Sequence, residues 1–460
     1  MIKAVDINDA VRYITETIIW AADAAIPKSS LNPHKLRKPW WNDACRDAAR
    51  RQKRLWGIFR CYPTTENLIA FKAEKAYALR VRRQSQRESF IRFVSFITYS
   101  TPSSQIWRRV KAANGLYKDF TILILKSGSA IYSSPEDIAN IIVQTFAYIS
   151  NSDSYTATFQ ANKNRAEEIP ISFDSERHAS YNCDFRMFEM RKVLSQCCNT
   201  SPGPDGVTYG MLHHLNEDSL SNILRLFNRI WNEQTYPSQW REALVIPILK
   251  PGKDATDPMN YRPIALTSCL SKTLERMINA RLVYELETQN LIPIHQSSFR
   301  KGRSTLDNAI YLETQIRNAF VRKAHLVSVF FDIEKAYDRT WRYGILRTLS
   351  DFGYYGNLPI FSRNFLLFRS FKVRIGGTLS DSFVQSEGVP QGSVLSVTLF
   401  IIHISNVLLR LPKAVQGTLY VDDLQISCQR STMHALARQL QIVGNSNEIV
   451  QSLNETHLIC

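Results

Sequence analysis

No stretch of this 460-residue chain is apolar for long enough to cross a bilayer. The longest, residues 397–411, is interrupted by His403, Ser405 and Asn406, and falls short of the roughly 20 residues that a membrane helix needs. The N-terminus, MIKAVDINDA, carries acids early and lacks the apolar centre of a secretory signal. The eight cysteines (Cys45, Cys61, Cys183, Cys197, Cys198, Cys269, Cys428 and Cys460) are scattered. They form no CxxC pair and have no histidine at ligand spacing, which argues against a zinc site. They read as reduced intracellular thiols. No internal repeat is present. Acid is also scarce: 57 Lys and Arg stand against 41 Asp and Glu, for a net charge of +16. Residues 1–120 hold 23 of those bases against 10 acids. A basic excess gathered in the first quarter points to a polyanionic partner, and nucleic acid is the usual one. A hydrophobic content of 44% and a charged content of 21% are those of an ordinary globular chain. The length suits two or three domains.

Apolar periodicity predicts a helix over 4–25, with Val11, Ile14, Ile18 and Ile19 on one face. A basic helical pair is expected over 42–96, a short strand at 121–125, and a helix over 138–148 opened by Ser134-Pro135-Glu136-Asp137. Residues 150–180 are rich in Ser, Asn and Thr and read as a linker. Beyond 185 the pattern turns to mixed α/β. Helices are expected at 185–196, 211–232, 270–289, 304–320, 334–352, 392–411 and 431–444. Strands are expected at 243–250, 325–332, 418–421 and 424–428, with a hairpin around Gly376-Gly377. The resulting division is a basic helical region at 1–150, a linker at 151–184, a mixed region at 185–325, a second at 326–445, and a tail at 446–460.

Three elements carry chemistry. Asp332 ends the apolar strand LVSVFFD, Asp422 and Asp423 sit on the tight connection in YVDDLQIS, and a Gly-flanked glutamine loop lies between them. A carboxylate at the end of an apolar strand is costly unless a cation meets it. Few cations lie near in sequence. Strand-end carboxylates converging on a groove suit divalent metals with oxygen ligands, Mg²⁺ above all. Two such ions, roughly 3.5–4 Å apart, can activate a hydroxyl and stabilise a leaving pyrophosphate, which is what nucleotidyl transfer requires.

These residues carry a resemblance. Residues 331–338 (FDIEKAYD), 387–395 (EGVPQGSVL) and 420–423 (YVDD) resemble, in order and spacing, the three catalytic boxes of reverse transcriptases. Upstream, SPGPDG (201–206), ALVIPILK (243–250), NYRPIAL (260–266) and FRKGRSTLDN (299–308) are similar to the finger motifs of non-LTR retrotransposons, of the jockey-like branch most of all. KPWWN (38–42) resembles the segment between endonuclease and polymerase in those elements. The resemblance implies an α+β right-hand polymerase, with fingers over 185–325 and palm over 326–445. It implies metal ligation by Asp332, Asp422 and Asp423, with Asp423 ranking below Asp422, and two Mg²⁺ ions, with Mn²⁺ as the alternative. Gln391 and Gly392 are matched to the nucleotide-positioning loop, Tyr337 to the ring that excludes a 2′-hydroxyl, and Arg262 and Lys250 to cations that grip the triphosphate. Arg300, Lys301 and Arg303 suit template backbone contacts, while SPGPDG is assigned no catalytic work. The implied partners are an RNA template, a DNA primer or target, and dNTPs, with no membrane. The implied location is intracellular, cytoplasmic for the ribonucleoprotein and nuclear for target-primed synthesis.

The pattern is incomplete. Val397 stands where the family usually has Pro, and Ser298 where it usually has Gly. The tail NSNEIVQSLNETHLIC matches nothing, so a missing or truncated thumb is expected, and no nuclease constellation precedes residue 38. Two rival readings follow: an inactive retroelement remnant that only binds nucleic acid, and an RNA-directed RNA polymerase, against which Tyr337 argues.

Overall fold

The computed structural model describes residues 5–27, 40–99, 101, 106–107, 110, 122, 124–128, 130–175, 178–333 and 335–445. Two compact units emerge, one of residues 27–121 and one of residues 1–26 with 122–460. The tail motif at 446–460 and the Lys38-Pro39 step lie outside the described residues. No helix among the described residues is long and apolar enough to cross a membrane. The seven described cysteines are all free thiols.

The chain opens with α1 (Ile7–Ala25), capped where the Asp6 carboxylate accepts the Asn8 N–H at 2.8 Å. Its stripe of Ile7, Val11, Ile14 and Ile18 is buried in the larger unit's core. The smaller unit is built on α2 (Asp43–Cys61) and α3 (Thr65–Ser95). These two helices close on small side chains, Cys45, Ala48, Ala78 and Ser85. Trp56 packs on Phe71 and Arg51 pairs with Glu74 at 3.0 Å. Most of the basic residues are exposed, while Arg82 is half-buried with its Nη2 donating to Gln52 Oε1 at 3.3 Å.

The larger unit continues through β1 (Leu125–Ser127), β2 (Ala130–Tyr132), α4 (Pro135–Ile149), α5 (Ala157–Glu167), α6 (Met187–Ser195), α7 (Tyr209–His213) and α8 (Glu217–Asn232). Next come β3 (Glu242–Leu249), β4 (Tyr261–Leu266), α9 (Cys269–Thr288), α10 (Thr305–Val321) and β5 (His325–Asp332). Then follow α11 (Ala336–Arg339), α12 (Arg342–Asp351), α13 (Asn357–Leu366), β6 (Arg369–Ile375), β7 (Thr378–Leu379) and β8 (Phe383–Gln385). The described chain ends with α14 (Val394–Leu409), β9 (Val415–Tyr420), β10 (Asp423–Arg430) and α15 (Met433–Asn445).

Two sheets organise this unit. One is antiparallel, in the order β5-β10-β9. The other runs β4-β3-β6-β7, with β8 also on β6 and β3 parallel to β6. Helices α8, α9, α13 and α14 share the main core with Leu419, Leu424 and Ile426 of the first sheet. α4 lays Ile138, Ile142, Val143 and Phe146 into a second core with Val245, Ala265, Phe371 and Val373 of the other sheet. Each such aliphatic or aromatic side chain withdrawn from water contributes roughly 1.5–3 kcal/mol.

Four expectations are corrected. The stretch read as a linker is folded: α5 lies within it, and Tyr155 and Phe159 are buried with Trp341 in a small core of their own. The basic region expected to run to 150 does not hold together, because α1 and α4 pack into the larger unit. The helix expected over 211–232 breaks before Asn216, whose side chain caps α8. The one expected over 334–352 breaks at Thr340 and Trp341, between α11 and α12.

Candidate active site

β10 is paired in register on both sides. Asp423 stands directly opposite Asp332 of β5 and opposite Tyr420 of β9. Only Val421 and Asp422 connect β9 to β10, and Val421 has a φ of 59°. Hairpin loops this short favour positive φ, normally supplied by Gly or Asn. A β-branched residue there is strained, at a cost of about 1–3 kcal/mol. The eight-residue pairing of β10 with β5 holds the turn in place. Its result is that three carboxylates gather at one sheet end.

They act on each other. The Asp422 carboxyl is raised above the usual range by burial and then by the charges of Asp423 and Asp332, with Arg262 opposing. Asp423 is raised by burial and by Asp332. Among the described residues, none of the three forms a salt bridge. Like charges facing each other across a sheet destabilise it, so the arrangement favours a bound cation. No described group of three His, Cys, Asp or Glu side chains is drawn tightly enough to cage a metal alone. Carboxylate oxygens are the hard donors that a divalent ion such as Mg²⁺ takes beside waters and substrate phosphates. The donor set of hard oxygens therefore fits that ion.

The glutamine loop threads between α11 and β4. Val389 N–H donates to Tyr337 O at 2.7 Å, Gly388 N–H to Thr340 O at 2.8 Å, and Ala265 N–H to Gln391 O at 2.6 Å. Two glycines make the approach possible. A side-chain carbon on Gly388 would lie 2.3 Å from Asp338 O, and one on Gly392, at φ 128°, 2.2 Å from Ala265 O. At the loop's far end Glu275 of α9, wholly buried, accepts from Ser393 Oγ, from Val394 N–H at 3.1 Å and from Ser271 Oγ at 2.8 Å. It thereby caps the start of α14. The near end is braced by Lys163 of α5, which pairs with Glu387 at 3.2 Å and with Glu167 at 2.9 Å.

Tyr337 lies on α11 with its ring stacked on Phe400, centroids 4.7 Å apart. Burial, and then the charge of Asp422, push its hydroxyl up to about 12. Arg262 is exposed on β4, and its charge reaches Asp422. Lys250 follows β3, and its charge reaches Asp338. Asp338 is the site residue that the sequence reading passed over. Gln391 Nε2 donates to both of its oxygens at 3.0 Å. Its position in the FDIEKAYD box gave no chemical signal, because the partner lies 53 residues away.

The basic loop divides. Arg300 is taken up internally, gripping Glu287 with Nε at 2.7 Å and Nη2 at 2.5 Å, and donating to Pro293 O and Gln296 O. Arg300 is thus held by the chain's own groups, bracing the loop that carries Lys301 and Arg303. Lys301 is exposed, and Arg303 stands 3.6 Å from Asp307. The departures are accommodated. Ser298 is buried with its hydroxyl donating to Gln296 Oε1 at 2.6 Å, and Val397 continues the first turn of α14. Gly203 of SPGPDG abuts the backbone of Thr267 and Ser268, so this turn packs against the start of α9.

The residues of this site fall within a stretch that known proteins share. The reverse transcriptase (RNA-dependent DNA polymerase) family matches residues 248–450. The probable RNA-directed DNA polymerase from transposon BS of Drosophila melanogaster is 35% identical over 253 residues, covering 52% of this chain and 27% of that protein. The corresponding probable polymerase from transposon X-element of the same fly is 34% identical over 214 residues, covering 46% and 23%. The RNA-directed DNA polymerase from mobile element jockey, also of Drosophila melanogaster, is 30% identical over 247 residues, covering 52% and 27%. The chain thus spans about a quarter of the length of these relatives. Residues 248–450 thus match the reverse transcriptase family, and the chain is similar to the RNA-directed DNA polymerases of jockey and related mobile elements.

Proposed function

We propose that this chain catalyses RNA-directed DNA synthesis, joining a dNTP to a primer 3′-hydroxyl with release of pyrophosphate. The observation that carries the proposal is the facing pair Asp332 and Asp423 with Asp422 beside them on the turn. Asp332 and Asp422 would hold the divalent ions, with Asp423 ranking below Asp422, the less exposed of the adjacent pair. Bound there, Mg²⁺ supplies Lewis-acid activation of the attacking hydroxyl and stabilises the leaving oxygen. On this reading the three-stranded sheet is the palm, and β3 and β4 belong to the fingers. Arg262 and Lys250 grip the triphosphate, Arg262 through paired donors. Gln391 lies against the nucleotide, and the Tyr337 ring, fixed by Phe400, occupies the space a 2′-hydroxyl would need.

The test is primer extension on an RNA template in Mg²⁺, run in parallel with dNTPs and NTPs and repeated with excess EDTA. Extension with dNTPs alone, abolished by EDTA, is the expected outcome. Binding of template without any extension would favour a non-catalytic remnant, and efficient NTP use an RNA polymerase.

A further inference from the structure

We infer that Asp338 is a positioning residue that fixes which end of the Gln391 carboxamide faces the nucleotide. The inference rests on the reading of this cleft as a polymerase site.

Four observations lead there. The Gln391 amide nitrogen lies 3.0 Å from both Asp338 oxygens. An ionised carboxylate can only accept, so the NH₂ end must face it, and the chemistry itself settles an orientation that a carboxamide's shape leaves open. None of the described residues donates to Gln391 Oε1, which leaves an acceptor to be presented. The backbone is held as well, because Gln391 O accepts from Ala265 N–H at 2.6 Å while Val389 and Gly388 are tied to the α11 segment that carries Asp338. Finally, the space beside this pair is too small for a substrate. A cavity of ≈ 30 Å³, lined by Asp338, Pro390, Gln391, Ala265 and Phe146, is far below the several hundred Å³ of a ligand pocket. Asp338 therefore acts through Gln391 and does not touch the nucleotide.

A free glutamine presents either end of its amide and samples several rotamers. A carboxylate that accepts both bonds removes that freedom before the nucleotide arrives, and a pre-ordered contact costs less on binding. The effect belongs to nucleotide binding and not to the attack step.

The experiment is single-nucleotide incorporation by the full chain as parent, Asp338→Ala, Asp338→Asn, Gln391→Ala and the double alanine variant, with urea unfolding of all five. Asp338→Ala is expected to raise KM for dNTP about tenfold, the size of one charge-assisted hydrogen bond, with kcat within about threefold of the parent. The double variant should be no worse than Gln391→Ala. Asp338→Asn keeps an acceptor oxygen and should recover most of the loss. Additive losses, or a fall in kcat at unchanged KM, would overturn the inference. Unfolding gives an answer that does not need activity. Asp338→Ala should shift the urea midpoint by different amounts in the parent and Gln391→Ala backgrounds, and equal shifts would mean the two side chains are not coupled. A parent that extends nothing sinks the polymerase reading, while this unfolding comparison still decides whether the pair is coupled.

Discussion

At the scale of single residues, the site is a balance of carboxylates placed where burial and neighbours set their charge. Asp338 is pushed up to about 6 by burial, opposed first by the Gln391 amide and then by the charges of Lys335, Lys250 and Arg339. The folded carboxyl holds its proton more tightly than an unfolded one, so this group favours the fold most at acid pH and loses that contribution as pH rises through about 6. Function runs the other way. Only the ionised form accepts both bonds from Gln391, while the protonated form keeps one acceptor oxygen, as Asp338→Asn does; KM for dNTP should therefore rise modestly as pH falls through about 6, to the level of Asp338→Asn, whose own profile should be flat. A pH titration of KM in the two proteins checks this, and identical profiles would remove Asp338 as the cause. By contrast, Arg300 looked like a free cation in sequence because its partner, Glu287, belongs to another element.

At the scale of elements, the glycines of the glutamine loop do the most specific work. Gly392→Ala must push either β4 or Gln391 aside, because the obstructing atom is the backbone Ala265 O and φ is also unfavourable. It should destabilise the chain by about 1–3 kcal/mol and raise KM for dNTP. Gly376→Ala, at φ 60° but with nothing within 4 Å, should cost less and leave KM alone; melting temperatures and incorporation assays separate the two. Most elements around the site were legible in sequence. The apolar run ending at Asp332, the YVDD turn and the long helix after Gly392 each carry their own periodicity or turn chemistry. What was not legible depends on distant partners. The 151–184 stretch is polar in composition, and its fold rests on a few aromatic contacts with Trp341 and on the buried Lys163–Glu387 pair. The strand β4 was missed because Pro263 interrupts its pattern, although it sits at the sheet edge, where Pro is tolerated. The breaks at Asn216 and at Thr340 needed caps and contacts that periodicity does not report.

At the scale of the whole molecule, charge and chemistry are divided between the two units. Residues 27–121 hold 21 Lys and Arg against 6 Asp and Glu, a balance of +15, while the rest of the chain is nearly neutral at +1. On the proposed reading, phosphate binding of the counterion-releasing kind would fall mainly to residues 27–121, and bond formation to the carboxylates of the other unit. The two should be separable by mutation. Single-turnover primer extension in Mg²⁺, with RNA affinity measured on the same preparations, for the parent, Asp332→Asn and Asp422→Asn tests this most directly. Each substitution is expected to reduce extension by at least about 10³-fold while RNA affinity stays within about twofold of the parent. Extension at near-parental rate by either variant would contradict the assignment of this site.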